Sequence, residues 1–325
     1  MKKILICLLV VNLLFAVGCR KEQQEQSKEQ LQGTITISGA WALYPMMVKW
    51  AQEFGKIHPE VKIDIAAGGA GKGMADCLGQ VVDMAMVSRE IYPAEIEKGA
   101  WWVSVTKDAV VPTVNINNPV LKELVSKGVK KEVLIDIWTT EKINNWGQVT
   151  GNSGITDTIH VYTRSDACGA AETWAAFLGK KQEDLLGVGI YGDPGLTEAV
   201  KKDALGIGFN NINYAYDCKT KAQIDQIKVL PIDLNGNGMI DKDEDFYGSL
   251  DKMAEAIAMG KYPCPPARLL HLVSFGRPEK KAVVEFIKWI LTDGQKFVPE
   301  AGYINLPKEK ITEELKKLEA EKLVP

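Results

Sequence analysis

The chain has 325 residues, 46% hydrophobic and 25% charged, which suits a soluble globular protein with a large buried core. Its formal net charge is -3 and no basic stripe with interleaved aromatics occurs, so nothing points to nucleic acid as a partner. An acidic ligand would have to be held by a local site rather than by a global field. At the N-terminus, Lys2 and Lys3 precede the apolar run Ile4 to Val17. That run is short for a bilayer span and has the layout of a signal peptide.

The leader ends Ala16-Val17-Gly18-Cys19, small residues directly before a cysteine. This resembles a bacterial lipobox, with Ala16 where leucine is usual. The resemblance implies that residues 1–18 are removed and that Cys19 becomes the lipid-modified N-terminus. The protein is then exported and anchored to a membrane, facing the periplasm or cell exterior. A plain secretory peptide with a chance cysteine is the alternative. Residues 19–33 contain the polar run RKEQQEQSKEQLQG, which cannot bury enough surface to order itself and is expected to be a tether. As a coil it reaches roughly 20 Å. Four cysteines remain, Cys77, Cys168, Cys218 and Cys264, with three possible full pairings and no C-x-x-C spacing. They are expected to be buried free thiols, with one disulfide as the alternative.

Order begins with an alternating strand at Thr34–Ile37 and a helix over Tyr44–Ile57, whose Met47, Trp50, Ala51 and Phe54 recur at three and four. A strand at Glu60–Ile65, a helix opening near Lys72 and a strand at Asp83–Val87 repeat the pattern. Such units predict parallel sheets flanked by helices. A longer strand at Val103–Val114 follows, then helices near Leu121–Ser126 and Val133–Ile137. The strand Ile159–Tyr162, a helix from Ala170 to Leu178 and the strand Ala204–Asn210 come next. The last helices are Lys280–Leu291, with one apolar face, and Lys308–Lys322, expected to be charged and solvated.

In open α/β sheets ligands sit beyond the carboxyl ends of strands, where free N–H groups and the helix dipole attract anions. Three junctions have the small residues this needs: Ser38-Gly39-Ala40, Gly69-Ala70-Gly71 and Ala167-Cys168-Gly169. Arg89 and Arg164 lie beside such junctions, and a guanidinium grips an oxyanion bidentately. The competing reading is that the glycines are ordinary turns and the arginines pair with carboxylates such as Asp166.

The segments SGAWALYPMMVKWAQEF, IDIAAGGAGKGM, DMAMVSRE, TKDAVVPTVNINNPV, INNWGQV and RSDACGAAETWAAF resemble, in order, those of the periplasmic phosphate-binding proteins of ABC importers. So do ALGIGFNNINYAY, YPCPPARLL and FIKWILTDGQKFVPEAGYINLP. The resemblance covers residues 34–307. It implies a type II periplasmic-binding fold, two α/β lobes joined by two crossing strands with a ligand cleft between them. Residues 34–112 with 262–325 would form lobe 1, and 113–261 lobe 2. It further implies a phosphate-like anion, an ABC permease in the inner membrane as partner, a monomer, and no enzymatic activity. Carried onto this chain, the ligand set is Ser38, Ala40, Trp41, Ala70, Gly71, Ser88, Arg89, Arg164, Asp166, Cys168, Gly169 and Ala170. The family's hydroxyls are largely missing: Ala40, Trp41, Ala42 and Leu43 replace the first loop's serine and threonine, Ala70 a serine, and Cys168-Gly169-Ala170 a serine-glycine-threonine. Either backbone amides and the arginines carry the anion, or the ligand is a different anion with larger or fewer acceptors, whose organic portion Trp41 and Tyr44 could contact; the alternative for these two rings is packing alone. The alternatives are a sensing or scavenging lipoprotein without its own transporter, and a hydrolase using Cys168 or Ser165.

Residues 233–244, DLNGNGMIDKDE, meet each position of the EF-hand loop pattern. Asp233, Asn235, Asn237, the Met239 carbonyl, Asp241 and Glu244 would supply oxygens to a structural calcium ion, with Gly238 permitting the sharp turn. A polar Asn-Gly hairpin tip is the alternative. The run from Ala66 to Gly73 fails as a P-loop, because Ala66 and Gly73 replace required residues. His58 reads as a helix-end residue, while His160 and His271 are expected to be satisfied core groups.

Overall fold

In the computed structural model, which describes residues 30–320, the parallel strands β1 (Gly33–Gly39), β2 (Val61–Ala67) and β3 (Met84–Val87) alternate with helices α1 (Tyr44–Ile57) and α2 (Ala70–Leu78). The leader, Cys19 and most of the tether lie outside the described residues. Helix α1 forms where Met46, Met47, Trp50 and Phe54 share a buried face, and Pro45 in its first turn removes an N–H that has no helical partner there. Helix α3 (Pro93–Glu97) leads into the long strand β4 (Ala100–Asn115). Then follow α4 (Leu121–Lys127), β5 (Val129–Lys130), α5 (Lys131–Ile135) with a π-helical turn after it, α6 (Trp146–Thr150), β6 (His160–Arg164) and α7 (Gly169–Phe177). Next are β7 (Val188–Ile190), α8 (Gly192–Lys202), β8 (Gly206–Asn211), β9 (Ile227–Val229), β10 (Ile232–Asp233) and α9 (Leu250–Ala258). The chain returns through β11 (Ala267–Phe275) and closes with α10 (Lys281–Leu291) and α11 (Lys308–Glu319).

One sheet runs through the molecule in the order β2-β1-β3-β11-β4-β8-β6-β7, with β9 also on β4. Strand β4 changes partner along its length: up to Ala109 it pairs antiparallel with β11, and from Val110 with β8. The core divides at the same place. One cluster gathers around Trp50, Phe54, Phe286 and Ile290, the other around Trp138, Trp174, Phe209 and Tyr262. The changeover falls between Val105 and Ala109 in β4 and between Ala267 and Leu270 in β11. Two α/β lobes joined by crossing strands are the type II arrangement.

Three expectations are corrected. His160 is exposed at the start of β6, where its Nδ1 lies 2.7 Å from Asp203; strand alternation turns Ile159 inward and the histidine out. All four described cysteines are free, but only Cys77 and Cys168 are buried; Cys218 and Cys264 are exposed. Helix α11 is not fully solvated: Glu314 and Leu318 are buried, and Lys310 and Lys317 hold Glu314 at 3.0 and 2.9 Å. His58 does cap α1 and His271 is buried, as expected. Among the described residues, no helix is long and apolar enough to cross a membrane.

Candidate ligand site between the lobes

The turns after β1, β2 and β3 in lobe 1 come together with the turn before α7 in lobe 2. The Gly71 amide donates to the Ala167 carbonyl at 3.1 Å, and a Cβ on Gly69 would stand 3.0 Å from Asp166 Oδ2. Gly169, the first residue of α7, approaches Ser88 so closely that a Cβ there would meet the Ser88 carbonyl at 2.2 Å and its Oγ at 2.3 Å. Within lobe 1, a Cβ on Gly73 would meet Gly39 Cα at 2.5 Å, so the first two turns also touch. Three helix N-termini, those of α1, α2 and α7, therefore face one interlobe region, and their N–H groups and dipoles favour negative charge there. Ser38, Ala40, Trp41, Ala70, Gly71, Ser88, Arg89, Arg164, Asp166, Cys168, Gly169 and Ala170 all lie on these turns or on the strand ends and helix starts that border them.

Placement and availability differ. The Ala40 amide donates to the Met86 carbonyl at 2.8 Å, and the Ser38 hydroxyl donates to Asp76 at 2.7 Å, so neither keeps that donor for a ligand. Asp76 is in turn bound by Lys72, which ties the first turn to α2. Cys168 caps α7 by accepting the Ala171 amide at 3.5 Å, and burial pushes its thiol up to about 12, so it is a neutral thiol at any physiological pH.

Both arginines carry carboxylate partners. Arg164, whose side chain is 0% exposed, forks onto Asp166 at 2.8 and 2.7 Å and reaches Asp193 at 2.6 Å. Burial works against that charge, but Asp193 and then Asp166 outweigh it, and the guanidinium pKa is raised. Arg89 forks onto Glu95 at 2.9 and 2.6 Å and stacks under the Tyr92 ring. Its Nε stands 3.1 Å from Glu172 on α7, outside hydrogen-bonding alignment. Burial raises the Glu172 pKa, countered by Tyr92 and Arg89. The reading in which Arg164 pairs with Asp166 thus holds, together with the convergence of the turns. The arginines flank the first turns of α7, each neutralised by two carboxylates.

Sequence reasoning missed the residues that organise this region from afar. Asp193, in the first turn of α8, is fully buried; its Oδ1 accepts from Asn211 Nδ2 at 2.7 Å while its Oδ2 holds Arg164. Asn211 is bonded in turn to Arg268 of β11, which forks onto Asp108 of β4 at 2.8 and 3.1 Å. A buried polar chain therefore runs from the crossing strands to Arg164. The Gly-Asp-Pro-Gly run at 192–195 was the available signal, a helix start with an acidic cap, but its partner is 29 residues upstream. A groove of about 330 Å³ opens beside Arg89 and Glu172, bounded by Thr173, Pro265, Arg268 and Leu269.

The EF-hand-like loop forms a self-contained turn. Asp233 accepts the Gly236 and Gly238 amides at 2.8 Å each, and Glu244 accepts those of Leu234 and Asn235 at 2.9 and 3.0 Å. The Asn235 and Asn237 side chains both donate to Asp241 Oδ2, at 2.9 and 2.7 Å, which gathers three of the six expected ligands. Met239 is exposed. Among the described residues, no group of three or more His, Cys, Asp or Glu side chains is arranged to hold a metal ion.

A two-lobed α/β sheet with its turns and helix ends gathered at the lobe junction defines a binding protein for a small solute. The PBP superfamily domain matches residues 24–294, and the chain belongs to that superfamily. It is 25% identical to the phosphate-binding protein PstS of Methanocaldococcus jannaschii, covering 95% of this chain and 93% of the relative. It is 26% identical to protein SphX of Synechococcus elongatus, over 87% of this chain and 80% of the relative. The fold is also that of an ABC-type phosphate transport receptor from Vibrio cholerae, with a TM-score of 0.61 at 21% identity over 84% of this chain and 100% of the other.

Proposed function

We propose that this chain is the extracytoplasmic solute-binding protein of an ABC importer, anchored through Cys19, that holds phosphate or a related oxyanion where the turns of its lobes meet. An inner-membrane permease is its partner, and it acts as a monomer without catalysis. One observation carries the reading: three helix N-termini from both lobes converge on one place. Relatives named as phosphate-binding proteins, at near-full coverage, support the ligand class.

Arg89 and Arg164 are each balanced by two carboxylates, so neither brings an unpaired positive charge to the region. An anion there depends on N–H donors more than on net charge, so its affinity should fall little between low and physiological salt. Calorimetry on the purified domain is expected to give heat with phosphate. Silence with phosphate, sulfate, molybdate and tungstate alike would remove the inorganic reading. The second reading, a sensing or scavenging lipoprotein for an organic anion, is favoured by the groove beside Arg89; it predicts heat only with anions that carry an organic group. A buried, protonated Cys168 thiol and an Asp166 committed to Arg164 argue against the hydrolase.

The loop at 233–244 suits calcium in its all-oxygen donor set, and we place a structural calcium ion there. Asp233, Asn235, Asn237, Met239, Asp241 and Glu244 would hold it, with Asp233 and Glu244 giving up backbone amides to do so. A site of the affinity of extracellular modules adds about 2 kcal/mol at ten-millimolar calcium. A melting temperature that rises by several degrees with calcium and returns with chelator is expected; no shift removes the ion.

A further inference from the structure

We propose that Trp41 is a specificity-determining residue of the cleft, and that its indole N–H donates directly to the bound oxyanion in place of the hydroxyls this chain lacks. The inference rests on the oxyanion reading above and names a donor for it.

Trp41 belongs to the turn between β1 and α1 but is held by lobe 2. Its carbonyl accepts the Tyr214 hydroxyl at 3.1 Å, and its ring meets Tyr191 edge-on with centroids 6.1 Å apart. The indole lies over Gly192, where the backbone has φ +73° and a Cβ would stand 3.2 Å from Cε2 and Cζ2 and 3.5 Å from Nε1. Gly192 is also the residue whose amide donates to Asp166 Oδ1, and its neighbour Asp193 holds Arg164. The glycine therefore brings the indole nitrogen beside the Arg164 cluster, where a side chain would push it away.

That nitrogen is buried and has no hydrogen-bond partner. Leaving a buried N–H unpaired costs about 1–3 kcal/mol. Three other buried indoles are paired: Trp50, Trp138 and Trp146 donate to the carbonyls of Gly294, Tyr162 and Leu205. Trp174 and Trp289 also lack a partner, but they sit in the aromatic cores of single lobes, stacked on Phe209 and Phe286. Trp41 differs in standing between the lobes, among helix N-termini that favour an anion. With the lobes in contact as they are here, a bound oxyanion would give this donor its acceptor, and a ligand without an oxygen there would leave it unpaired.

Trp41→Phe keeps an aromatic ring, smaller than the indole, and removes the donor. Calorimetry with inorganic phosphate, or with whichever of sulfate, molybdate and tungstate the wild type binds, is expected to show affinity about ten-fold or more weaker. The melting temperature of the ligand-free variant should be unchanged or higher, because an unpaired donor has been removed. Tyr191→Ala, which loses the edge contact but keeps the N–H, should weaken binding less. Undiminished affinity in Trp41→Phe overturns the proposal while leaving the oxyanion reading intact, and so does a ligand-free Trp41→Phe that melts lower, which would mark a packing role. A wild type that binds none of the four anions overturns the reading and the donor together.

Discussion

Arg164→Met is expected to lower the unfolding free energy by about 3–5 kcal/mol, the usual cost of removing one partner from a buried ion pair. The guanidinium is 0% exposed and its partners Asp166 and Asp193 are 6% and 0% exposed, so neither carboxylate can turn to solvent when it is gone. Two buried anions would then face each other across the space it left. For a domain of this size the loss corresponds to roughly ten degrees of melting temperature. Asp193→Asn should behave differently. It leaves the two-pronged Arg164–Asp166 pair in place and keeps an acceptor for Asn211, so its cost should be a fraction of the first. The double variant should recover part of the loss from Arg164→Met, since one of the unpaired carboxylates is removed. Chemical denaturation of ligand-free protein measures all three. Wild-type stability in Arg164→Met, or equal damage in the two single variants, would refute the buried triad.

Much of this architecture could be read from local pattern, and the misses have physical causes. Helix α1 has the bounds that the three-and-four spacing of Met47, Trp50, Ala51 and Phe54 predicts. The three turns are legible because tight strand-to-helix junctions need small residues, which Gly39, Gly69 and Gly169 supply at contact distance. Helices α8 and α9 were not predicted; α8 opens on Gly-Asp-Pro-Gly, which reads locally as a turn. Charge pairing was the hardest to see. Arg89 and Arg164 look like free anion grips in sequence, yet Glu172, Asp193 and Arg268 reach their partners only through the fold. Helix α11 misled for a related reason: a mostly charged helix still buries Glu314, because Lys310 and Lys317 one turn away on either side balance it. Tertiary partners decide whether a charged residue is a site or a strut.

The contact between Gly169 and Ser88 separates folding from binding. Gly169 opens α7 and has no positive φ, so alanine fits its backbone and is the better helix former by up to about 1 kcal/mol. Stability of the lobe should therefore hold or rise in Gly169→Ala. Across the cleft the same methyl would lie 2.2 Å from the Ser88 carbonyl, well inside the 3.0 Å that real Cβ atoms keep, and backbone on both sides leaves little that can yield. The lobes could meet only by displacing the turn before α7, which also carries the Ala167 carbonyl bonded to Gly71 and the Asp166 bonded to Arg164. A ligand that needs the lobes together then has to select a conformation the variant reaches rarely, and its apparent affinity falls by that fraction. The expected result is phosphate affinity at least ~10-fold weaker with an undiminished melting temperature, and a radius of gyration that no longer shrinks when phosphate is added. Gly55→Ala is the control: it too lies within a helix, α1, but a Cβ there meets nothing within 4 Å, so it should leave binding untouched. Wild-type affinity in Gly169→Ala would mean that the lobes do not need this approach to hold their ligand, and that the site lies away from the first turn of α7.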